Sequence, residues 1–327
     1  MKNWLLLLFV KLFARKNPQD LRFLVVSTTA LGDTLWATPA IQNLRKTYPN
    51  AFIGVLTGPP GLEIFQNVDR IYLWKHPWKL WKQLRKDRYH TVLLFHASQR
   101  LVLPFCATLG AQKIIGTAGI NKGLDSLLTD PLNNYNEHEI VRRLQIVEKA
   151  GGKIFTEELV FDLPPTQKSG KQKVALHPGS KDSFKRWPVE RFIEVGLGLK
   201  NCEIFVTGTE KELVHQIQKA IPEAKHVSTK SLKDLAAFLS GIDLLISNDT
   251  GPVHLACALK VPVIAIYSPT DPSLCGPHKA QNALAIYKKP TCTPCLKRKC
   301  PEPFCLQRIS TQEVLEAAIR ALSKTTF

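Results

Sequence analysis

SNDTGPVHLACALKVPVIAIYSPTDP, residues 247–272, reads as the end of a buried strand, a polar turn, a helix, a second strand and a second polar turn. The run IDLLIS (242–247) is apolar and short, as a central parallel strand must be when helices cover both of its faces. Asn248, Asp249 and Thr250 break the run. Gly251 and Pro252 then open a helix, at the position where proline's missing N–H costs nothing. The free backbone N–H groups of a helix that follows a parallel strand form a ready anion site, and phosphate is the usual guest. The strand VPVIAIY (261–267) ends in Ser268-Pro269-Thr270-Asp271 at the same carboxyl edge. Open α/β sheets bind ligands at that edge.

Working outward, the same alternation of short apolar runs and amphipathic segments covers most of the chain. Strands are expected at 21–27, 51–57, 91–97 and 113–117, with helices notably at 39–47 and 139–150. LPPTQKSGKQK (163–173) is rich in proline, glycine and lysine and reads as a linker. Strands follow at 173–178, 202–208, 225–228, 243–247 and 261–267, and helices at 188–199, 210–220 and 231–240. The tail TQEVLEAAIRALSK (311–324) is an amphipathic helix capped from Ser310 or Thr311, with Glu313 supporting its start. The expected organisation is a basic apolar segment over 1–20, one α/β domain over 21–167 and a second over 168–327.

At 327 residues and 44% hydrophobic content the chain suits two ordinary cores and excludes global disorder. Its net charge of +17 asks for an anionic partner: nucleic acid, anionic lipid or a phosphorylated substrate. The charge is spread evenly. Residues 1–168 hold 22 basic against 13 acidic residues, and 169–327 hold 22 against 14. An even spread and the absence of a recognised binding motif argue against a dedicated nucleic-acid face.

Two segments suit a membrane surface. WLLLLFVKLFARK (4–16) is too short to span a bilayer and lacks a clear signal-cleavage site. It reads as an interfacial anchor that places Trp4 and its leucines at the headgroup boundary and Lys11, Arg15 and Lys16 against anionic lipid. The alternative is a buried first helix. WKHPWKLWKQLRKDR (74–88) spaces Trp74, Trp78 and Trp81 as a helix would, interleaved with Lys75, Lys79, Lys82, Arg85 and Lys86. It suits an anionic glycolipid or a membrane, or else a surface helix whose tryptophans join the core.

Cys106, Cys202, Cys257 and Cys275 are scattered and read as reduced thiols. Cys292, Cys295, Cys300 and Cys305 cluster within fourteen residues, enough to close a tetrahedral thiolate shell around structural zinc or iron. Disulfides or free thiols are the competing reading.

The remaining candidates sit at strand ends. After the first strand, Gly32 suits a tight turn and Asp33 follows it, either as a catalytic carboxylate or as a helix cap. In HPGSKDSFKRWPVERF (177–192), Gly179 and Ser180 offer N–H groups and a hydroxyl to phosphate, and Lys185 offers a point charge. Glu210, at the end of the strand 202–208, either binds ribose hydroxyls or complements a helix dipole. His254 lies in the first turn of the helix opened by Gly251 and is either structural or a hydrogen-bond donor to phosphate.

LGDTLWATPAIQNLRKTYPNAFIGVLT, HPGSKDSFKRWP and NDTGPVHLACALKVPVIAIYSPTDP together resemble the bacterial heptosyltransferases, glycosyltransferase family 9, with matching segments from residue 21 to about residue 310. The Gly-Asp-x-x-x-x-Thr-Pro element, followed in order by Asp-Thr-Gly-x-x-His and Pro-Thr-Asp-Pro, carries the resemblance. It implies a GT-B fold, two Rossmann-like doubly wound domains with an interdomain cleft, the donor in the C-terminal domain and the acceptor in the N-terminal one. It implies inverting transfer of heptose from ADP-heptose to the lipopolysaccharide inner core, on a Kdo-lipid A or core oligosaccharide acceptor, without a catalytic metal. Asp33 then matches the general base. Lys185, Glu210, Asp249, Thr250 and Gly251 match donor-binding positions, with Gly179, Ser180 and His254 nearby, and Lys75, Lys79, Lys82 and Arg85 are candidates for the acceptor. The expected location is the cytoplasm, peripheral at the inner membrane.

Two other readings compete. One is a family member that uses another nucleotide sugar. The other, from a different class, is a basic nucleic-acid-binding protein with a metal-bound cysteine cluster. The intact Asp33 speaks against a catalytically silent adaptor.

Overall fold

The computed structural model describes residues 21–96, 100–134, 136–164, 166, 170–292, 300 and 304–324. The chain divides into two compact units, Met1–Asp162 and Leu163–Phe327.

The first unit runs β1 (Arg22–Ser27), α1 (Leu31–Leu35), α2 (Thr38–Thr47), β2 (Phe52–Thr57), α3 (Gly61–Ile64), β3 (Arg70–Leu73), α4 (Pro77–Asp87), β4 (Thr91–His96), α5 (Val102–Ala107), β5 (Lys113–Thr117), β6 (Asp130–Leu132) and α6 (Glu139–Lys149). Its six strands are all parallel, in the order β3-β2-β1-β4-β5-β6. The central strands are continuous apolar runs because helices cover both faces; Leu24, Val25 and Val26 of β1 are fully buried.

The second unit runs β7 (Lys173–His177), α7 (Val189–Gly198), β8 (Glu203–Thr207), α8 (Lys211–Ala220), β9 (Lys225–Val227), α9 (Leu232–Ser240), β10 (Leu244–Asn248), α10 (Gly251–Ala258), β11 (Val263–Tyr267), α11 (Pro272–Cys275), β12 (Ala283–Tyr287), α12 (Phe304–Gln307) and α13 (Thr311–Lys324). Its sheet is also all parallel, in the order β12-β11-β10-β7-β8-β9. Renumbered from its own start, that is the Rossmann strand order, the same as in the first unit.

Most elements lie within a residue or two of their sequence expectation. The Ser310 hydroxyl accepts from the Glu313 N–H at 3.2 Å, so Ser310 starts the last helix. Three edge or near-edge strands have no counterpart in the sequence reading. β3 and β6 are short and partly exposed, and β6 contains Pro131, which only an edge strand accepts. β12 pairs with β11 alone among the described strands. The aromatic segment is also corrected: the helix begins at Pro77, so Trp74 lies outside it, just past β3. The sequence pattern missed this because β3 ends where the tryptophan spacing begins.

One buried amide ties the closing segment of the first unit to its core. Asn43 on α2 is fully buried. Its Nδ2 donates to the Pro39 carbonyl at 2.8 Å and the Thr156 carbonyl at 2.6 Å. Its Oδ1 accepts from Phe155 N at 2.6 Å and Thr156 N at 3.1 Å. Thr38 and Thr47 flank it and accept from Val160 N and Lys153 N. Asn43→Ala strands several buried backbone groups at once, each costing ~1–3 kcal/mol. Urea unfolding is expected to show the first unit destabilised by at least that amount, whereas Asn43→Asp, which keeps the acceptor oxygen, loses less.

Candidate active site

Each sheet reverses its strand order once, between β1 and β4 and between β7 and β10. Neighbouring loops diverge there, and ligands of open α/β sheets bind in the opening. The candidate residues of each unit gather at these two points.

In the first unit, Asp33 lies in the opening turn of α1, directly after β1. Gly32 is part of the same helix and has no left-handed backbone, so the tight turn expected of it is absent. Nor does Asp33 cap the helix: the N-cap is Ala30, without a side-chain bond. The Asp33 carboxylate faces His96 at the end of β4 and Glu139 at the start of α6, with ligating atoms of all three within 4.8 Å of one another. Arg142 and Arg143 accompany them. Arg142 pairs with Glu139. Arg143 Nη1 donates to Glu139 Oε2 at 2.5 Å, and its Nη2 lies 3.7 Å from Asp33 Oδ1. Two guanidinium groups thus face two carboxylates, a balance that disfavours a cation among them.

Burial pushes the Glu139 carboxyl up, but the Arg143 and Arg142 charges and hydrogen bonds outweigh it and hold the group at about 2. Burial pushes His96 below its ordinary value, against the opposing charge of Asp33. Ser27 Oγ, Thr29 Oγ1, Thr57 Oγ1, His96 Nδ1 and Arg143 Nη2 are buried polar atoms without a protein hydrogen bond. Ser27 stands beside Thr57 and His96 in the strand registers. Together they make a polar cradle at the sheet edge. The sequence singled out only Asp33; His96, Glu139, Arg142 and Arg143 carried no local motif.

In the second unit, β10 runs through Asn248 and hands over to Thr250, the N-cap of α10. The Thr250 hydroxyl donates to the Asn248 carbonyl at 3.1 Å, so it does not cap the helix, whose first turn includes Gly251 and the buried His254. Asn248 is fully buried and bridges two loops: its Nδ2 donates to the Pro178 carbonyl at 2.8 Å, and its Oδ1 accepts from Trp187 N at 3.0 Å. This fixes the segment that presents Gly179, Ser180 and Lys185. Lys185 Nζ meets Asp249 Oδ2 at 2.6 Å. Glu210 accepts from Thr209 N at 3.1 Å and pairs with Arg186 at 3.3 Å, while Arg186 Nε donates to the Ser180 carbonyl at 2.8 Å. Gly179 lets the Glu210 carboxylate come close: a Cβ there would sit 2.2 Å from Glu210 Oε2 and push that side chain aside. Asn248 and Arg186 are contributors the sequence reading passed over, although both sit inside motifs it quoted.

The other candidates lie apart from these points. Lys75, Lys79 and Lys82 are exposed on or beside α4, whereas Arg85 is half-buried, donates to the Thr108 carbonyl at 2.8 Å and lies over the Trp81 ring. Trp74 and Trp81 pack against the core, and Trp78 is 69% exposed and stacks on Trp81. Cys106, Cys202, Cys257 and Cys275 are free thiols. Cys292 is exposed, Cys300 half-buried and Cys305 buried, all as free thiols; Cys295 lies outside the described residues, so the four-thiolate reading stays an expectation of the sequence. Residues 4–16 also lie outside them. No described helix is long and apolar enough to cross a membrane.

The model of glycosyltransferase family 9 (heptosyltransferase) matches residues 77–305. The chain belongs to that family. The chain is 26% identical to the lipooligosaccharide heptosyltransferase 2 of Campylobacter jejuni, over 91% of this chain and 97% of that one. It is 25% identical to the lipopolysaccharide heptosyltransferase 1 of Escherichia coli, over 78% and 90%. The fold is that of the E. coli ADP-heptose LPS heptosyltransferase II structure, with a TM-score of 0.75 at 18% identity, covering 94% of this chain and all of that one. The expected GT-B fold class is met by that similarity and by the two Rossmann-ordered sheets.

In this heptosyltransferase, His177 ends β7 beside the Gly179–Glu210 contact. Its Nδ1 lies 2.9 Å from Thr207 Oγ1. Burial pushes it down to about 4 from 6.5, against the charge of Glu210. Between those two values the unfolded chain binds more protons than the folded one, so stability falls as pH falls through that window. His177→Gln is expected to shrink the loss of unfolding free energy between about pH 7 and about pH 5, read by urea titration at both pH values.

Proposed function

We propose that this heptosyltransferase moves heptose from ADP-heptose to the inner core of lipopolysaccharide, on a Kdo-lipid A or core oligosaccharide acceptor, with inversion at the anomeric carbon. The names of the relatives support ADP-heptose as donor and lipopolysaccharide as the class of acceptor. The observation that carries the mechanism is that each unit's strand-order reversal gathers one half of the chemistry. In the first, Asp33 would take the proton of the attacking acceptor hydroxyl as the new glycosidic bond forms. In the second, Lys185, the start of α10 at Thr250 and Gly251, and the hydroxyl of Ser180 would stabilise the departing ADP. Glu210 would accept from the ribose hydroxyls, with Asp249 steadying Lys185, and His254 would support the phosphate. A single displacement of this kind inverts the centre. An ammonium and a helix N-terminus would offset charge on the leaving diphosphate, in keeping with a reaction without a catalytic metal.

Asp33→Asn is expected to lower turnover by ~10²–10⁴ with ADP affinity intact, because only proton transfer is lost. Lys185→Ala is expected to weaken ADP binding by ~1.5–3 kcal/mol in calorimetry, the scale of a charge-assisted hydrogen bond. Near-normal turnover in the first variant, or unchanged affinity in the second, overturns the corresponding role. Transfer from ADP-heptose to defined truncated core acceptors tests the substrates.

The acceptor is borne on a lipid, and we place the enzyme in the cytoplasm at the inner membrane surface. Residues 4–16, by their basic apolar sequence, and the exposed Trp78 with Lys75, Lys79 and Lys82, by their aromatic exposure and like charge, support this reading. Removing residues 1–16 together with Trp78→Ser is expected to release the protein from anionic vesicles in a sedimentation assay. Transfer to a delipidated acceptor should change little. Full retention on vesicles would reject the placement.

A further inference from the structure

We infer that Arg143 is the positioning residue of the first unit: its buried guanidinium, braced by Glu139, orients the Asp33 carboxylate and places a fixed positive charge beside it. The inference rests on the reading of Asp33 as the base.

Arg143 exposes only 1% of its side chain. A cation so buried persists only where its partners compensate it. Glu139 does so twice: Arg143 Nη1 donates to its carboxylate at 2.5 Å and to its backbone carbonyl at 2.6 Å. The two residues are four apart on α6 and therefore share a helix face. The Trp36 ring lies against the guanidinium, 5.5 Å from its centre. These contacts fix the plane of the group and leave Nη2 without a hydrogen bond. That nitrogen lies 3.7 Å from Asp33 Oδ1, too far for a hydrogen bond and near enough for Coulomb attraction.

The division of contacts has a chemical purpose. A carboxylate locked in a full ion pair is a weak base, and one crowded by a second carboxylate is protonated too readily. Here Glu139 takes the short contacts of Arg143, and Asp33 receives the remainder of the charge. Among the described residues, the charged and titratable groups that face this cluster include His96 from β4 and Glu139, Arg142 and Arg143 from α6. Burial pushes His96 below its ordinary value, against the opposing charge of Asp33, which disfavours a second cation beside the carboxylate. Arg143 has almost no exposed surface of its own and acts through Asp33 rather than on the substrate.

The test is the pH profile of kcat, with ADP-heptose and a delipidated core acceptor, alongside calorimetric ADP affinity. Arg143→Met is expected to move the acid limb to higher pH and to lower turnover at neutral pH roughly 10²-fold, the scale of a small misplacement at the reacting centre. Arg143→Lys, which keeps the charge and loses the planar fork, is expected to return the limb towards that of the wild type without restoring full turnover. Glu139→Gln removes a negative charge and frees that of Arg143, so its limb is expected to move to lower pH. ADP affinity is expected to stay unchanged in all three. Limbs that do not move, or that move in the same direction for Arg143→Met and Glu139→Gln, overturn the inference, as does an ADP affinity that falls in step with turnover. If Arg143→Met does not fold, Glu139→Gln decides alone: a lower limb supports the role, and an unmoved or higher one rejects it. Asp33→Asn separates the two levels. Retained turnover there fells the base reading itself, whereas lost turnover with unmoved limbs elsewhere fells only the role of Arg143.

Discussion

A parallel sheet built by right-handed crossovers must reverse its strand order somewhere if helices are to cover both faces, and an opening forms where neighbouring loops part. This chain meets the constraint twice, in two units with the same strand order. The candidate base and the candidate donor-binding residues gather around those two reversals. Asp33 follows β1 and His96 ends β4; Gly179 and Ser180 follow β7, and Asp249 to Gly251 follow β10. Residues far apart in sequence become neighbours because the strands that carry them are hydrogen-bonded side by side.

The two openings handle charge in opposite ways. In the second unit, Lys185 and Asp249 meet at 2.6 Å. A close ion pair of this kind fixes a flexible ammonium in place near a helix N-terminus, where an anion is favoured. In the first unit the contact between cation and candidate base is looser, at 3.7 Å, because Glu139 occupies the guanidinium. Buried polar atoms without protein partners, among them Ser27 Oγ and Thr57 Oγ1, lie at the same edge.

The basic aromatic helix α4 joins fold and surface. Leu80 and Leu84 anchor it in the core, and Trp81 bonds Thr108 through its indole N–H at 2.9 Å. Trp78, stacked on Trp81 with Lys82 over its ring, faces outward. The segment therefore packs through one face and leaves the other basic and exposed. Arg85, which the sequence grouped with the lysines, belongs to the packing face because its guanidinium reaches the Thr108 carbonyl.

The sequence by itself determined the α/β class, the two-unit organisation and the strand-end motifs, since apolar runs of strand length, the Gly-Pro helix start and the polar turns after them are local patterns. It also singled out Asp33, Lys185, Glu210 and Asp249, each of which stands within or beside such a turn. It did not show the short edge strands β3 and β6, whose partly exposed residues lack an apolar run. Nor could it show that Asn248 joins Pro178 to Trp187, that Gly179 makes room for Glu210, or that Arg143 and Glu139 stand behind Asp33. Only the tertiary structure decided those relations. They depend on distances between segments tens of residues apart, which sheet order and helix packing set and no local pattern encodes.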